Sequence, residues 1–207
     1  LWKIILENLG AQPLNIERLE MLRVESRSGG TIFNAPLRNP AFFSNGWQSW
    51  SYAGVYGATD RFHRTRLGPL RAPIDANAGT PRPWRSGHFA SDMFAVLGDR
   101  ISRLALVAGF LSQQQHFGSL EANLHANPPT LRMWANGDRA RLDPGAHIET
   151  DWAYLQFIPI DHPDPLGVYL DAVSRQHRLH PSPILNNPPV GWCSWYQFSS
   201  EQYTGTI

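Results

Sequence analysis

Four kinds of side chain in this sequence could do chemistry, and three of them fall away on spacing or surroundings. His177 and His180 stand three apart with His162 nearby, but no cysteine pair and no His-Glu-x-x-His pattern accompanies them, so they read as a polar helix end and no metal is expected. The one cysteine, Cys193, lies in an apolar run and reads as a small core residue rather than a nucleophile. There is no phosphate-cradling glycine loop and no Gly-x-Ser-x-Gly elbow, so neither a cofactor nor a serine nucleophile is expected. Asp92, Asp151 and Asp171 are available carboxylates, yet no matched pattern pairs them for acid and base work, and they read as surface or structural residues. The fourth kind is aromatic: Trp47 and Trp50 in Asn45-Gly46-Trp47-Gln48-Ser49-Trp50-Ser51, and Trp192, Trp195 and Tyr196 in Gly191-Trp192-Cys193-Ser194-Trp195-Tyr196. Such rings offer a flat apolar face with a hydrogen-bonding N–H or O–H at one end.

The elements around these clusters decide what the rings can reach. Pro188 and Pro189 stop what precedes them, and the β-branched and aromatic residues up to Phe198 predict a short buried strand. Ser199-Ser200-Glu201-Gln202 then carries the capping-box pattern that opens a helix. A strand passing through a turn into a helix begins a β/α unit, and α/β folds place ligands at the carboxyl ends of such strands.

Upstream the pattern is different. Apolar-polar alternation predicts strands at Trp2–Leu9 and Leu14–Glu25, the second partly out of step where a bulge could sit, and a short one at Thr31–Phe33 after the Ser26–Gly30 turn cluster. It recurs at His88–Leu97, Ser102–Phe110, Gln114–Leu124, Thr130–Trp134 and His147–Ile160. Turns are predicted at Gly98-Asp99, Asn127-Pro128-Pro129, Asn136-Gly137-Asp138 and Asp143-Pro144-Gly145. Many short strands separated by Gly, Pro, Asn and Asp predict a mainly β fold, a large antiparallel β-sandwich. Between Gly54 and Gly87 periodicity disappears among prolines and arginines (Arg61, Arg64, Arg66, Arg71, Arg82, Arg85), which reads as an arm that packs on another surface. Asp164 as N-cap, Pro165 as first helical residue and the spacing of Leu166, Tyr169, Leu170 and Val173 predict a helix over about 165–179, ended by Pro181 and Pro183.

The segment Gly191–Tyr196 resembles the start of the catalytic barrel in the α-galactosidases of glycoside hydrolase family 36, relatives of the plant raffinose synthases. Asn45–Ser51 is similar to a motif in the amino-terminal β domain of the same enzymes, and the likeness runs from about residue 40 to the end. It implies a β-supersandwich over 1–163, a linker helix and connection over 164–187, and over 188–207 the first strand of a (β/α)8 barrel. A barrel needs about 250 residues, so the chain is read as an amino-terminal fragment that stops one strand into it. Retaining hydrolysis uses two carboxylates about 5 to 5.5 Å apart. The resemblance implies that both are aspartates on later barrel strands, so no catalytic residue is expected here and the 207 residues are expected to be inactive. It further implies that Trp195 and Tyr196 line a galactose pocket and that Trp50 leans toward its mouth, binding α-galactoside oligosaccharides such as melibiose and raffinose. Trp47 is a weaker candidate, and Trp192 faces the core. Raffinose synthases usually carry Asp where Tyr196 stands, which favours the bacterial galactosidases. An α-N-acetylgalactosaminidase of the same superfamily, or a stand-alone carbohydrate-binding sandwich, are the alternatives.

Composition limits the other classes. With 42% hydrophobic and 12% aromatic residues the chain can bury a sizeable core. A net charge of +1 gives no electrostatic case for nucleic acid or an anionic membrane, and no run of 18 apolar residues offers a span. A single cysteine and an early-charged start (Lys3, Glu7) point to a cytoplasmic protein. A homo-oligomer formed through the sandwich and the 54–87 arm is expected, and an exposed barrel strand at Pro189–Phe198 would be docked, swapped or disordered.

Overall fold

The computed structural model describes residues 1–25, 31–33, 36–65 and 75–179. Alternation decides most of what forms. In β2 (Leu14–Val24) the side chains of Ile16, Leu19 and Met21 point inward, with register shifts between Ile16 and Arg18 and between Glu20 and Leu22, the bulges that keep the apolar face turned one way. β2 pairs with β9 (Thr130–Leu142), which pairs with β8 (Gly118–Asn123), which pairs with β5 (His88–Asp92). A second sheet has the order β11 (Ala153–Pro159), β7 (Leu104–Phe110), β6 (Phe94–Asp99), β3 (Pro40–Ser44), β4 (Gly54–Gly57). β1 (Ile5–Glu7) and β10 (His147–Glu149) form a two-stranded sheet, and all the pairings are antiparallel.

The two larger sheets enclose one core. Phe42, Tyr56, Leu97, Leu106 and Phe110 from the five-stranded sheet meet Phe89, Leu120, Leu131 and Met133 from the four-stranded one. Phe89 stacks on Tyr56 at 4.4 Å between ring centres and on Phe42 at 6.1 Å. The chain is therefore mainly β and sandwich-like, as the alternation predicts.

The predicted strand over His88–Leu97 breaks at Met93, and the two halves lie in different sheets. Met93 has φ 68°, a left-handed conformation that turns the chain at a corner. Its N–H donates to Gly118 O of one sheet (2.8 Å) and its carbonyl accepts from Phe110 N of the other (2.9 Å).

Other departures have local causes. Asn136-Gly137-Asp138 does not reverse the chain: β9 runs through it, and with Asp138 at φ 50° and Arg139 at φ 59° these residues form the bulge facing the Ile16/Arg18 shift. Gly98-Asp99 ends β6, and the reversal follows at 100–103, where the buried Asp99 carboxylate accepts from Asn39 N (2.6 Å) and Ser102 N (3.0 Å). Gln114–Leu124 becomes a strand only from Gly118, because the residues before it fold around Asp151. His147–Ile160 is interrupted between β10 and β11, Trp2–Leu9 shortens to β1 plus a bridge from Trp2 to Ala153, and Thr31–Phe33 is not a strand. β3 and β4 carry no predicted counterpart.

A helix, α1 (Gly167–Gln176), packs on the outer face of the five-stranded sheet. Asp164 is not its N-cap: Leu166 takes that place without a side-chain hydrogen bond, two residues later than predicted. Tyr169 is fully buried there, its ring 5.0 Å from Phe94 and 5.4 Å from Tyr154, its hydroxyl donating to Phe110 O at 2.7 Å. Burial pushes the Tyr169 phenol well above its usual range. Beside the helix, Ala41, Phe43, Val55, Val96 and Ile160 border a shallow apolar groove of about 300 Å³ on the same face.

Candidate functional site

The loop between β3 and β4 holds the first aromatic cluster, and Asn45 fixes its entry. Asn45 N donates to Ser91 Oγ (2.7 Å), Asn45 Nδ2 donates to Asp92 O (2.9 Å), and Asp92 N donates to Asn45 O (3.0 Å). The loop thus leaves β3 as a short extension of pairing with β5. It then tightens into a turn closed by Ser51 N donating to Gln48 O at 2.9 Å. Gly46 permits this closure: a Cβ there would stand 2.6 Å from that of Ser51.

On this frame Trp50 is 50% exposed and Trp47 40%, so both rings stand at the surface rather than in the core. Tyr52 stacks on His63 (4.8 Å) and meets Tyr56 at a tilt (5.2 Å), and Thr65 Oγ1 donates to Trp50 O at 3.0 Å. Tyr56 OH accepts from His63 N at 2.9 Å, and burial raises its pKa to about 12, against the opposing His63 hydrogen bond. Trp50 is thereby tied to the residues that follow β4. Trp195 and Tyr196, the other expected sugar-binding residues, lie outside the described residues together with Trp192, Cys193 and the expected barrel strand.

A cleft of about 850 Å³ opens between Arg61–Arg64 and Pro83–Trp84. Its first wall is anchored on the body of the protein by Gly57 N donating to Asp60 Oδ2 (2.7 Å), Gly87 N to Asp60 O (2.9 Å), and His125 Nε2 within hydrogen-bonding distance of Ala58 O (2.8 Å). Arg64 Nη2 reaches across to Arg82 O at 3.2 Å. Trp84 is 71% exposed and carries the Arg85 guanidinium over its ring at 4.9 Å.

The three sequence-flagged aspartates separate by environment. Asp171 is exposed on α1. Asp151 is buried and organises the 112–116 turn, accepting from Ser112 Oγ, Gln114 N (3.3 Å), Gln115 N (3.0 Å) and His116 N (3.2 Å). Asp92 is buried on the outer face of the four-stranded sheet, where it accepts from Thr80 Oγ1 (2.6 Å) and Asn77 N (3.4 Å). Thr80 Oγ1 also meets Ser119 Oγ (2.6 Å), Asn136 Nδ2 donates to that same Ser119 Oγ (2.7 Å), and Trp134 Nε1 donates to Asn136 Oδ1 (2.9 Å). Burial lifts the Asp92 pKa to about 6, although Thr80, Asn77 and the charge of Arg82 all pull the other way. A carboxylate tuned to this range is suited to proton transfer in an open site. Here it is sealed beneath the 75–80 segment and serves to hold that segment down. Its period-2 position was legible in the sequence, but nothing there marked Thr80 and Asn77 as its partners.

Among the described residues no group of three His, Cys, Asp or Glu side chains is placed to hold a metal ion, and His177 only caps α1. No helix among them is long and apolar enough to cross a membrane. The chain matches no model of a known protein family and none of the curated proteins with which it was compared.

Proposed function

We propose that this chain is the amino-terminal part of a retaining, exo-acting α-galactosidase that releases terminal α-linked galactose from oligosaccharides such as melibiose and raffinose. The observation that carries the reading is the Asn45–Ser51 loop: a motif similar to that of family 36 enzymes, held on β5 and presenting Trp50 half-exposed at its tip. The Gly191–Tyr196 motif follows it in the expected order, after a mainly β domain and a helix. In this reading residues 1–163 form a supersandwich, 164–187 connect it to the barrel, and Trp50 stands at the mouth of a pocket lined by Trp195 and Tyr196. An indole face there stacks on the apolar face of galactose while the indole N–H meets a hydroxyl. The nucleophile and the acid/base are aspartates encoded beyond Ile207. The buried Asp92 and Asp151 support this, since each is committed to hydrogen bonds that hold the fold.

The test has two arms. Hydrolysis of a chromogenic α-galactoside is expected from a protein that continues past Ile207 with a Lys-x-Asp motif and a later aspartate, and not from the 207 residues alone. Turnover by the 207 residues would place the catalytic carboxylates within them and sink the assignment. In the longer protein Trp50→Ala should raise KM by about three- to tenfold, the worth of one aromatic stacking contact. An unchanged KM would remove Trp50 from the site.

A second reading is supported by the exposure of Trp47, Trp50 and Tyr52: a sandwich that binds carbohydrate without transforming it. Calorimetry of the 207 residues with melibiose separates the two, because binding without turnover in either form of the protein favours the module.

A further inference from the structure

The cleft between Arg61–Arg64 and Pro83–Trp84 has a chemistry of its own. Arg61, Arg64 and His63 line it on one side, with Phe62, Pro83 and Trp84 supplying apolar surface. The acids nearest in sequence are already engaged: Asp60 Oδ2 accepts from Gly57 N at 2.7 Å, and Asp75 Oδ1 accepts from Thr65 N at 2.5 Å. Among the described residues neither Arg61 nor Arg64 forms an ion pair, a state they share with arginines such as Arg18 and Arg100, but these two line the cleft. The Nε of Arg82, adjacent to Pro83, is buried without a hydrogen-bond partner. The volume, about 850 Å³, lies in the range of small-molecule sites.

We propose that this cleft binds a carboxylated pyranose, a uronate unit of an acidic glycan, with the carboxylate on Arg61 and Arg64 and the ring face on Trp84. The inference is independent of the α-galactosidase reading. A guanidinium meets a carboxylate through two parallel N–H donors, and Arg64 keeps donors free beyond the one given to Arg82 O. Trp84, with Arg85 over its ring, still leaves most of its surface to solvent, so it can stack against the C–H face of a sugar. The hydroxyls of a neutral sugar can accept from the guanidinium groups but leave their charges unmatched, whereas a carboxylate meets both. An inorganic anion would leave the Phe62, Pro83 and Trp84 surfaces unused. A nucleic-acid strand needs cations spread along a track, and the chain as a whole carries a net charge of only +1.

Calorimetric titration of the 207-residue chain with trigalacturonate, and with the neutral galactotriose for comparison, tests the proposal. Trigalacturonate is expected to bind at least about tenfold more tightly than galactotriose, as charge-assisted hydrogen bonds imply, and to weaken severalfold when salt is raised to about 0.5 M. Arg61→Gln should lose about tenfold in affinity for trigalacturonate, and Trp84→Ala should weaken it too. Arg61 makes no ion pair with a described residue, so its variant reports on the ligand rather than on folding; a thermal melt matching the parent checks this. Equal affinity for the two trisaccharides, binding unchanged in Arg61→Gln and Trp84→Ala, or displacement of trigalacturonate by a single-stranded oligonucleotide at lower concentration would each overturn it.

Discussion

Asp92 carries its charge at a disadvantage. Its ordinary value is 3.8, and in the fold it titrates near 6 because burial disfavours the ionised form. Between those values the folded chain holds a proton that the unfolded chain has lost. Its contribution to stability is therefore full below about pH 3.8 and is lost as pH rises through about 6, a difference of roughly 3 kcal/mol at about 1.36 kcal/mol per unit. Asp92→Asn keeps an acceptor for Thr80 and abolishes the titration. Urea midpoints measured from pH 4 to 8 should fall with pH in the parent more steeply than in the variant, and parallel curves would contradict the assignment. The groups that matter here come from separate parts of the chain: Thr80 and Asn77 from an aperiodic stretch, Ser119 from β8, Arg82 from beyond a proline. Residue type and alternation reveal where Asp92 lies along a strand. They do not reveal what covers it, because no periodic signal links position 80 to position 92.

At the scale of elements, the segment over 75–80 is held by close contact as well as by hydrogen bonds. Gly79 sits so near the Asn136 amide that a Cβ would lie 2.1 Å from Asn136 Oδ1. Gly79→Ala must therefore lift the segment or displace Asn136 from Ser119 and Trp134, and a destabilisation of about 1–3 kcal/mol is expected by thermal or urea unfolding. A loss below about 0.5 kcal/mol would mean that the segment is not held against the sheet. Period-2 alternation found β2, β7, β8 and β11 because each has one face in the core. It failed at β3 and β4, which are short, and at Met93, where an unbroken β-like run hides a change of sheet. Turn chemistry failed in the opposite sense at Asn136-Gly137-Asp138, since residues that tolerate left-handed backbone serve a bulge as well as a hairpin. The Asn45–Ser51 loop stood out in the sequence only by resemblance; the geometric tasks of its asparagine and glycine, and the exposure of its tryptophans, are visible only in the fold.

For the molecule as a whole, α1 matters beyond its 10 residues. It covers Ala105, Val107, Tyr154 and Ile158 on the outside of the five-stranded sheet, so that sheet is buried on its core face except around Leu104 and Phe157, and in part on the other face. Tyr169→Ala removes its central anchor and should destabilise the protein by about 3–5 kcal/mol, the range for large aromatic truncations in a core. It should also raise binding of a hydrophobic dye, because the uncovered strip joins the groove beside Phe43 and Val55. A variant that loses stability without added dye binding would show that the helix stays docked through Ala172 and Val173.

The sheet order also sets a schedule for the growing chain. β2 pairs with β9, joining Leu14 to Leu142, and Trp2 bridges to Ala153, so the amino-terminal residues are made first and paired among the last. At about 5–20 residues per second a ribosome takes roughly 6 to 25 s to travel from Leu14 to Leu142. Through that interval Ile16, Leu19 and Met21 have no sheet to join. In β2 the apolar positions are separated by Glu17, Arg18, Glu20 and Arg23, charges that keep a waiting strand from pairing with its neighbours on a polysome.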